Sequence, residues 1–344
     1  MKKKAIDFLT TKPAFFLVAA LLWLGLMCYL NSKDDGPNGF SWHDLLVEAN
    51  GMFFDLLVFG IFLSIYEALK EKKEKIERLN EEIDDYRGWD EKEATYRIVG
   101  AIRRLKRERV SQIDLRKCYL VNAYLPNAIL SNSDLSGANL TGADLSGANL
   151  TDANLIGANL AGANLSGANL TRAKMERAKL CKANFSNADL TDADLTNAVL
   201  SEFFTYETDP GPYDPDNYYS DDTEFEYFDF FRTSREVGAA NLFKANLLRT
   251  KFLGANLNYV DFFQSNLSEA NMSHAELINA RLTEANLKGT NLTKADLTGA
   301  YLSDAIVNTN WMDKIVANHV KGSNEIIQQY STEELDGNIL LKKK

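Results

Sequence analysis

From Ser111 to Thr309 a leucine or other large apolar residue returns at every fifth position, with a small residue two places before it. The clearest stretch is SGANLTGADLSGANLTDANLIGANLAGANLSGANL, from Ser136 to Leu170. A strict period of five fits neither a lone helix, with 3.6 residues per turn, nor a lone strand, whose side chains alternate. It describes one small unit stacked many times. Taking the large residue as the centre of each unit, centres run without slippage from Leu115 to Leu200, eighteen units, and again from Leu242 to Val307, fourteen more. Two of every five residues face inward, so the interior is a narrow column. Such a unit cannot bury its own apolar side and is stable only against its neighbours.

The pattern A(N/D)LSG, seen at Ala138–Gly142 as ANLTG and at Ala143–Gly147 as ADLSG, resembles the pentapeptide-repeat family over about 200 residues of this chain. The resemblance implies a mainly β fold, a right-handed quadrilateral β-helix of four units per coil. Thirty-two units then make about eight coils. At roughly 4.8 Å per stacked strand the rod is about 38 Å long. The Asn or Asp before each centre is expected on the turns, where its side chain can satisfy free backbone groups.

The net charge of −10 argues against a nucleic-acid partner drawn in by long-range attraction. The three cysteines, Cys28, Cys118 and Cys181, are far apart and signal neither a zinc site nor a disulfide framework. Cys118 takes the small inward position of its unit, where it packs. His43, His274 and His319 are scattered, and no phosphate-loop, dinucleotide, metalloprotease or nucleophile-elbow motif occurs. The chain is therefore expected to be no enzyme, with no cofactor, no metal and no catalytic residue.

Two apolar stretches precede the repeats. The run 13–30, PAFFLVAALLWLGLMCYL, carries no charge and as a helix reaches about 27 Å, enough to span a hydrocarbon core. The second, about 45–69, is interrupted by Glu48 and Asp55. Intramembrane acids usually mark function or a polar partner, and these two are candidate membrane polar residues. Lys2, Lys3, Lys4 and Lys12 flank one side and Lys70, Lys72, Lys73 and Lys75 the other, with only Lys33 between. The positive-inside bias thus predicts a hairpin over 1–69 in the inner (cytoplasmic) membrane, multi-pass, with the N-terminus and the repeats in the cytoplasm.

Past the hairpin, 70–110 is expected as a helical stalk and N-terminal cap. Phe62, Ile65, Leu69, Lys72, Ile76, Leu79, Ile83 and Tyr86 follow heptad spacing. That spacing fits either a coiled coil, and so a homo-oligomer through stalk and membrane helices, or a helix folded back on 90–109 within one chain. Asp90 and Glu93 have the spacing of a capping box for a further helix. That helix is expected to cover the first coil. Its cluster Arg103, Arg104, Lys106, Arg107 and Arg109 reads as a solvated face or a contact to anionic lipid.

The units fall into 111–200 and 238–309, with 310–344 expected as a C-terminal cap and tail. Between them 201–237 leaves the pattern. From Glu202 to Arg232 there are ten acids, one base and eleven aromatics. The 42 residues from Leu200 to Leu242 are not a multiple of five, and removing thirty-seven restores the register. Loops extruded from solenoids commonly build binding surfaces, and aromatics among acids suit an interface. Tyr206, Tyr213, Tyr218, Tyr219, Phe225 and Phe228 are the candidate partner contacts. The other reading packs these aromatics on the rod, with Arg172, Lys174, Arg177, Lys179 and Lys182 receiving the acids.

Three functions are open at this point. The first is a non-catalytic membrane-anchored scaffold presenting the rod to a protein partner. The second is an oligomeric, channel-like membrane effector with the rod as sensor. The third comes from the resemblance alone: some soluble family members mimic DNA and modulate topoisomerase.

Overall fold

The computed structural model describes residue 29 and residues 42–201 and 238–344, without the side chains of 42–54 and 56. The chain divides into two compact units, residues 1–78 and 79–344. Helix α1, Trp42–Asp85, contains all of the second apolar stretch from 45 to 69. The first stretch, apart from Tyr29, lies outside the described residues. Among the described residues no helix is long and apolar enough to cross a membrane. In the first unit Phe59, Phe62, Tyr66 and Leu69 are exposed on α1. In the second, Leu79 and Ile83 of the same heptad series are buried. Beside them Glu82 accepts a 2.7 Å hydrogen bond from Arg104 of the next helix. The lower end of the series thus folds back within the chain.

The rod is a four-sided coil. Residues twenty apart are bridged in parallel on either side of the insertion, as in Asp114 to Asp134 to Asn154 to Lys174. Each position of the unit has one physical task. The centre and the small residue two before it point inward, and Leu115, Leu155, Ala138 and Ala143 are fully buried. Each buried leucine contributes roughly 1.5–3 kcal/mol relative to leaving it in water, an upper bound. After the centre comes a β-turn closed by the amide of the next small residue, as Cys118 N–H donates to the Leu115 carbonyl at 3.1 Å. The third residue of that turn has left-handed φ throughout, 65° at Gly137 and 54° at Asn122. Gly and Asn reach that region at least cost, which explains the G of the motif.

The Asn or Asp before the centre bridges the coils on a side of the rod, not on a turn as expected. Its side chain still reaches the turn. Asp134 Oδ1 accepts the Ser136 amide at 2.9 Å, and Asp194 Oδ1 accepts both the amide and the hydroxyl of Thr196. The small polar residue after the centre completes this local ring. Asparagines also stack up the rod: Asn286 donates to Asn266, Asn266 to Asn246 and Asn246 to Asp189.

At the insertion the bridged partners change spacing. Asn184 pairs with Asn241 and Val199 with Asn256, each 57 residues apart. Ala240 N–H donates to the Leu200 carbonyl at 2.8 Å, so the coil closes across the gap.

Both ends of the rod are covered. Helix α2, Lys92–Arg107, buries Ala94, Ile98, Ala101, Ile102 and Leu105. Its N-cap is Glu91, without a side-chain cap bond, so the expected capping box does not form. Glu93 instead pairs with Arg97 at 3.4 Å. The basic residues are partly consumed by the first coil, whose carbonyls have no preceding coil to donate to them. Arg103 donates to the Tyr124 carbonyl at 2.9 Å, Lys106 to that of Asn127 at 2.7 Å, and Thr95 to that of Tyr119 at 3.2 Å. Arg103 and Lys106 thus stay on an exposed face while tying it to the first coil.

At the far end β1, Ile306–Val307, pairs with β3, Asn338–Lys343, which pairs in turn with β2, Tyr330–Leu335; both pairings are antiparallel. Helices α3, Trp311–Ala317, and α4, Ser323–Gln329, precede the hairpin. The last coil's amides find acceptors there: Leu297 bonds the Lys321 carbonyl at 3.0 Å, Lys294 that of Asn318 at 2.8 Å, and Leu302 the Tyr330 hydroxyl at 3.2 Å.

Candidate functional site

The outward faces of the rod carry what recognition chemistry this unit has. Several of their charges are paired between neighbouring coils. Arg172 clasps Asp152 with two 2.7 Å hydrogen bonds, and Arg249 clasps Asp192 at 2.7 and 2.8 Å. Lys251 meets Asp194 at 3.0 Å. Such two-pronged pairs are the stronger kind of surface ion pair, although exposure keeps each worth little. Arg172 is therefore not available to an acidic segment in the way the sequence proposed. Lys174, Arg177, Lys179 and Lys182 remain exposed.

Lys179 bridges to Val199 one coil on, two residues before the insertion leaves at Ser201. The Lys182 amide donates to the Gly238 carbonyl at 2.9 Å, where the chain returns. The basic cluster thus divides, and Lys179 and Lys182 stand near the roots of the insertion. The six aromatic candidates, Tyr206, Tyr213, Tyr218, Tyr219, Phe225 and Phe228, lie outside the described residues. Glu48 and Asp55 both lie on α1, and the Asp55 side chain is exposed.

One group of outward residues carries little mark in the sequence. Asp261 and Arg281 take bridging positions on successive coils, where side chains are normally half-exposed, yet both are buried. Their charged groups are 3.6 Å apart. The Arg281 guanidinium lies over the Phe263 ring at 4.0 Å, and Phe263 stacks on Phe243 at 5.7 Å. Burial raises the Asp261 carboxyl above its ordinary value; the Phe263 amide and Arg281 pull the other way without prevailing. The close pair would suggest a fully ionised salt bridge. Desolvation of a carboxyl this deeply placed outweighs a contact at 3.6 Å. The only sequence signal for this group is a phenylalanine recurring after the centre at 243 and 263.

Elsewhere the ionisable groups serve the fold. Asp114 is held down at about 2 by hydrogen bonds from the Arg116 guanidinium and amide, with Arg87 close by. Burial pushes the Cys118 thiol up to about 11, as befits an inward packing residue. His274 and His319 occupy left-handed positions, with φ of 58° and 54°. Among the described residues no group of three or more His, Cys, Asp or Glu is placed to hold a metal ion. A hollow of about 360 Å³ between α2 and the first coil is lined by Ile102, Arg103, Lys106 and Tyr124, but both cations there are already committed to carbonyls.

The profile of the family described as pentapeptide repeats matches eight copies, at residues 111–147, 148–187, 239–273 and 265–304. A solved pentapeptide repeat protein of Nostoc PCC 7120, alr5209, is 36% identical over 29% of this chain and 78% of its own, with a TM-score of 0.21. The chain belongs to the pentapeptide-repeat family. Two further solved structures are similar to it. HetL, a pentapeptide repeat protein involved in heterocyst differentiation regulation from the cyanobacterium Nostoc sp. strain PCC 7120, is 27% identical over 57% of this chain and 81% of its own, with a TM-score of 0.32. QnrB1, a plasmid-mediated fluoroquinolone resistance protein, is 15% identical over 60% of this chain and 87% of its own, with a TM-score of 0.34. No curated protein matches the chain. The matched segments of the family profile stop at 187 and resume at 239, leaving the acidic, aromatic insertion between them.

Proposed function

We propose that this pentapeptide-repeat protein is a non-catalytic, membrane-anchored scaffold whose rod presents the 201–237 insertion to a protein partner in the cytoplasm. The observation that carries this reading is the unbroken register: Val199 pairs with Asn256 as if the insertion were absent. The thirty-seven residues that break the phase of the repeat concentrate eleven aromatics among eleven acids, the composition of a recognition element. Membrane attachment is supported by the uncharged run 13–30 and by the exposed Phe59, Phe62, Tyr66 and Leu69 on α1.

Two measurements test it. The full chain should stay with the membrane pellet after an alkaline carbonate wash, and a variant with Ala20→Arg and Leu24→Arg should be released. A photo-reactive residue placed at Tyr218 or Phe225 in cells should capture one discrete protein. Wash-out of the native chain, or no capture from either position, would overturn the corresponding half.

An oligomeric membrane effector is the second reading, favoured by the exposed apolar residues of α1 and by the exposed Asp55. It predicts that replacing both Glu48 and Asp55 by leucine abolishes ion conductance in planar bilayers. A scaffold keeps its cross-linked partner after the same change.

A further inference from the structure

The chain carries a net charge of −10, yet one short segment runs the other way: from Lys92 to Arg109 there are seven bases and two acids. Two of these bases have carboxylate partners, Arg97 with Glu93 at 3.4 Å and Arg104 with Glu82 at 2.7 Å. Lys92, Arg103, Lys106 and Arg107 have none among the described residues, and all four are exposed. Lys92, Tyr96, Arg103 and Arg107 recur at spacings of four, seven and four, which sets them on one stripe of α2. That stripe lies opposite the buried Ala94, Ile98 and Leu105. Tyr96 is 75% exposed; Tyr124 of the first coil, with the Arg103 guanidinium 5.8 Å from its ring, is 62% exposed. Beside the stripe lies the hollow of about 360 Å³, with Arg103 and Lys106 on its wall and Ile102 and Pro126 as apolar lining. Each cation gives one hydrogen bond to a first-coil carbonyl. A guanidinium has five N–H groups and an ammonium three, so most of their donors remain.

We infer that the outward stripe of α2 docks on an anionic membrane surface, with a phospholipid headgroup seated in the Arg103–Lys106 hollow. Charge is the first reason. Four unpaired cations on one stripe and its border are the complement of an anionic leaflet, which attracts basic residues close to it. The second is the company they keep. Tyrosines with an apolar ring and a polar tip settle at headgroup level, and Tyr96 and Tyr124 stand exposed among these cations. The third is chain order: α2 is the next helix after the apolar stretches 13–30 and 45–69, while the insertion and the far cap come later. The bilayer is the one supplied by the membrane-anchored reading, on which this surface rests; the cap of the rod adds a second, headgroup-dependent contact.

The full chain carrying Cys28→Ser and Tyr96→Cys, its other cysteines being buried, takes an environment-sensitive fluorophore at position 96. It is mixed into vesicles of phosphatidylcholine alone, or of equal parts phosphatidylcholine and phosphatidylglycerol. Emission should brighten and shift to the blue only in the anionic vesicles. The change should fade between about 0.1 M and about 1 M salt, as the Debye length falls from about 10 Å to about 3 Å. The same label at Thr332→Cys, exposed on β2, should report no difference. Lys92→Gln with Arg107→Gln leaves the bonds of Arg103 and Lys106 to the first coil in place. It should lower the ratio of seated to free cap about twentyfold, at roughly fivefold per base. Equal emission in the two kinds of vesicle, or an unchanged response in the double variant, overturns the inference. The same blue shift produced in detergent by glycerol phosphate alone assigns the hollow to a soluble phosphoryl ligand and overturns the membrane surface. Flotation separates this contact from the anchor. A native chain that does not float with neutral vesicles fails the anchor reading, and it should then still float with anionic ones; flotation with neither overturns both.

Discussion

At the scale of single residues the repeat is a division of labour with measurable consequences. The third turn position needs left-handed φ, and at Gly162 (φ 67°) no neighbouring atom stands within 4 Å of where a Cβ would be. A substitution there isolates backbone conformation from crowding. Gly162→Val should cost about 1–2 kcal/mol in denaturant unfolding, whereas Gly162→Asn should be close to neutral. A buried centre behaves differently: Leu155→Ala leaves a void in a column closed on all sides and should cost about 2–5 kcal/mol. Asp114 supplies a pH signature. Its folded pKa, about 2, lies below the ordinary 3.8, so its contribution is complete above pH 4 and is lost as pH falls from about 4 to about 2. Replacing Asp114 with Asn should remove that part of the acid limb of stability, read as a smaller drop in urea midpoint between those pH values. Asp261 has the opposite sign. Its carboxyl is raised, so its contribution is present at low pH and fades as pH rises above the ordinary carboxylate value.

At the scale of elements the caps matter most. A coil inside the rod gives its backbone groups to the coils before and after it, but an end coil has only one neighbour. The first coil meets α2, whose Arg103 bonds the Tyr124 carbonyl that a preceding coil's amide would otherwise take, and whose Lys106 bonds the turn carbonyl of Asn127. Replacing both by Ala should speed amide exchange in the first coil by about tenfold, while the sixth and seventh coils are unchanged. The last coil meets backbone: the Lys321 carbonyl, the Asn318 carbonyl and β3. Ending the chain after Val307 removes all of these and leaves an open strand edge. The shortened protein should form concentration-dependent assemblies in light scattering, which the full chain should not. Sequence reasoning anticipated a cover at each end because an uncovered edge is a liability. The β-hairpin at 330–343 was not anticipated, since YSTEEL and NILLKK carry no strict alternation and a two-residue Asp336-Gly337 turn is a weak mark in a polar tail.

At the scale of the whole molecule the rod tolerates a large insertion because continuity runs along the axis rather than along the chain. Partners are one coil apart whether 20 or 57 residues separate them. Removing 202–237 together with Ala239, thirty-seven residues, should therefore keep the far-ultraviolet spectrum of the rod and shift its melting temperature by only a few degrees. The heptad series also makes sense only at this scale. Its lower members, Leu79 and Ile83, are used inside the second unit, and its upper members, Phe62, Ile65 and Leu69, are exposed in the first. A single pattern in the sequence thus serves two purposes along one helix.

The period of five, the inward Leu and Ala, the four-unit coil and the phase shift of thirty-seven residues were all legible in the sequence. Each is local chemistry repeated, and repetition leaves a phase that can be counted. Tertiary structure decided where unpaired groups find partners. Arg103 and Lys106 of α2 reach carbonyls of the first coil, the box expected from Asp90 and Glu93 does not cap the helix, and Arg172 is already held by Asp152. A repeat specifies how each unit meets the next; its ends and its interruption meet something else, and what they meet is settled only when the chain is folded.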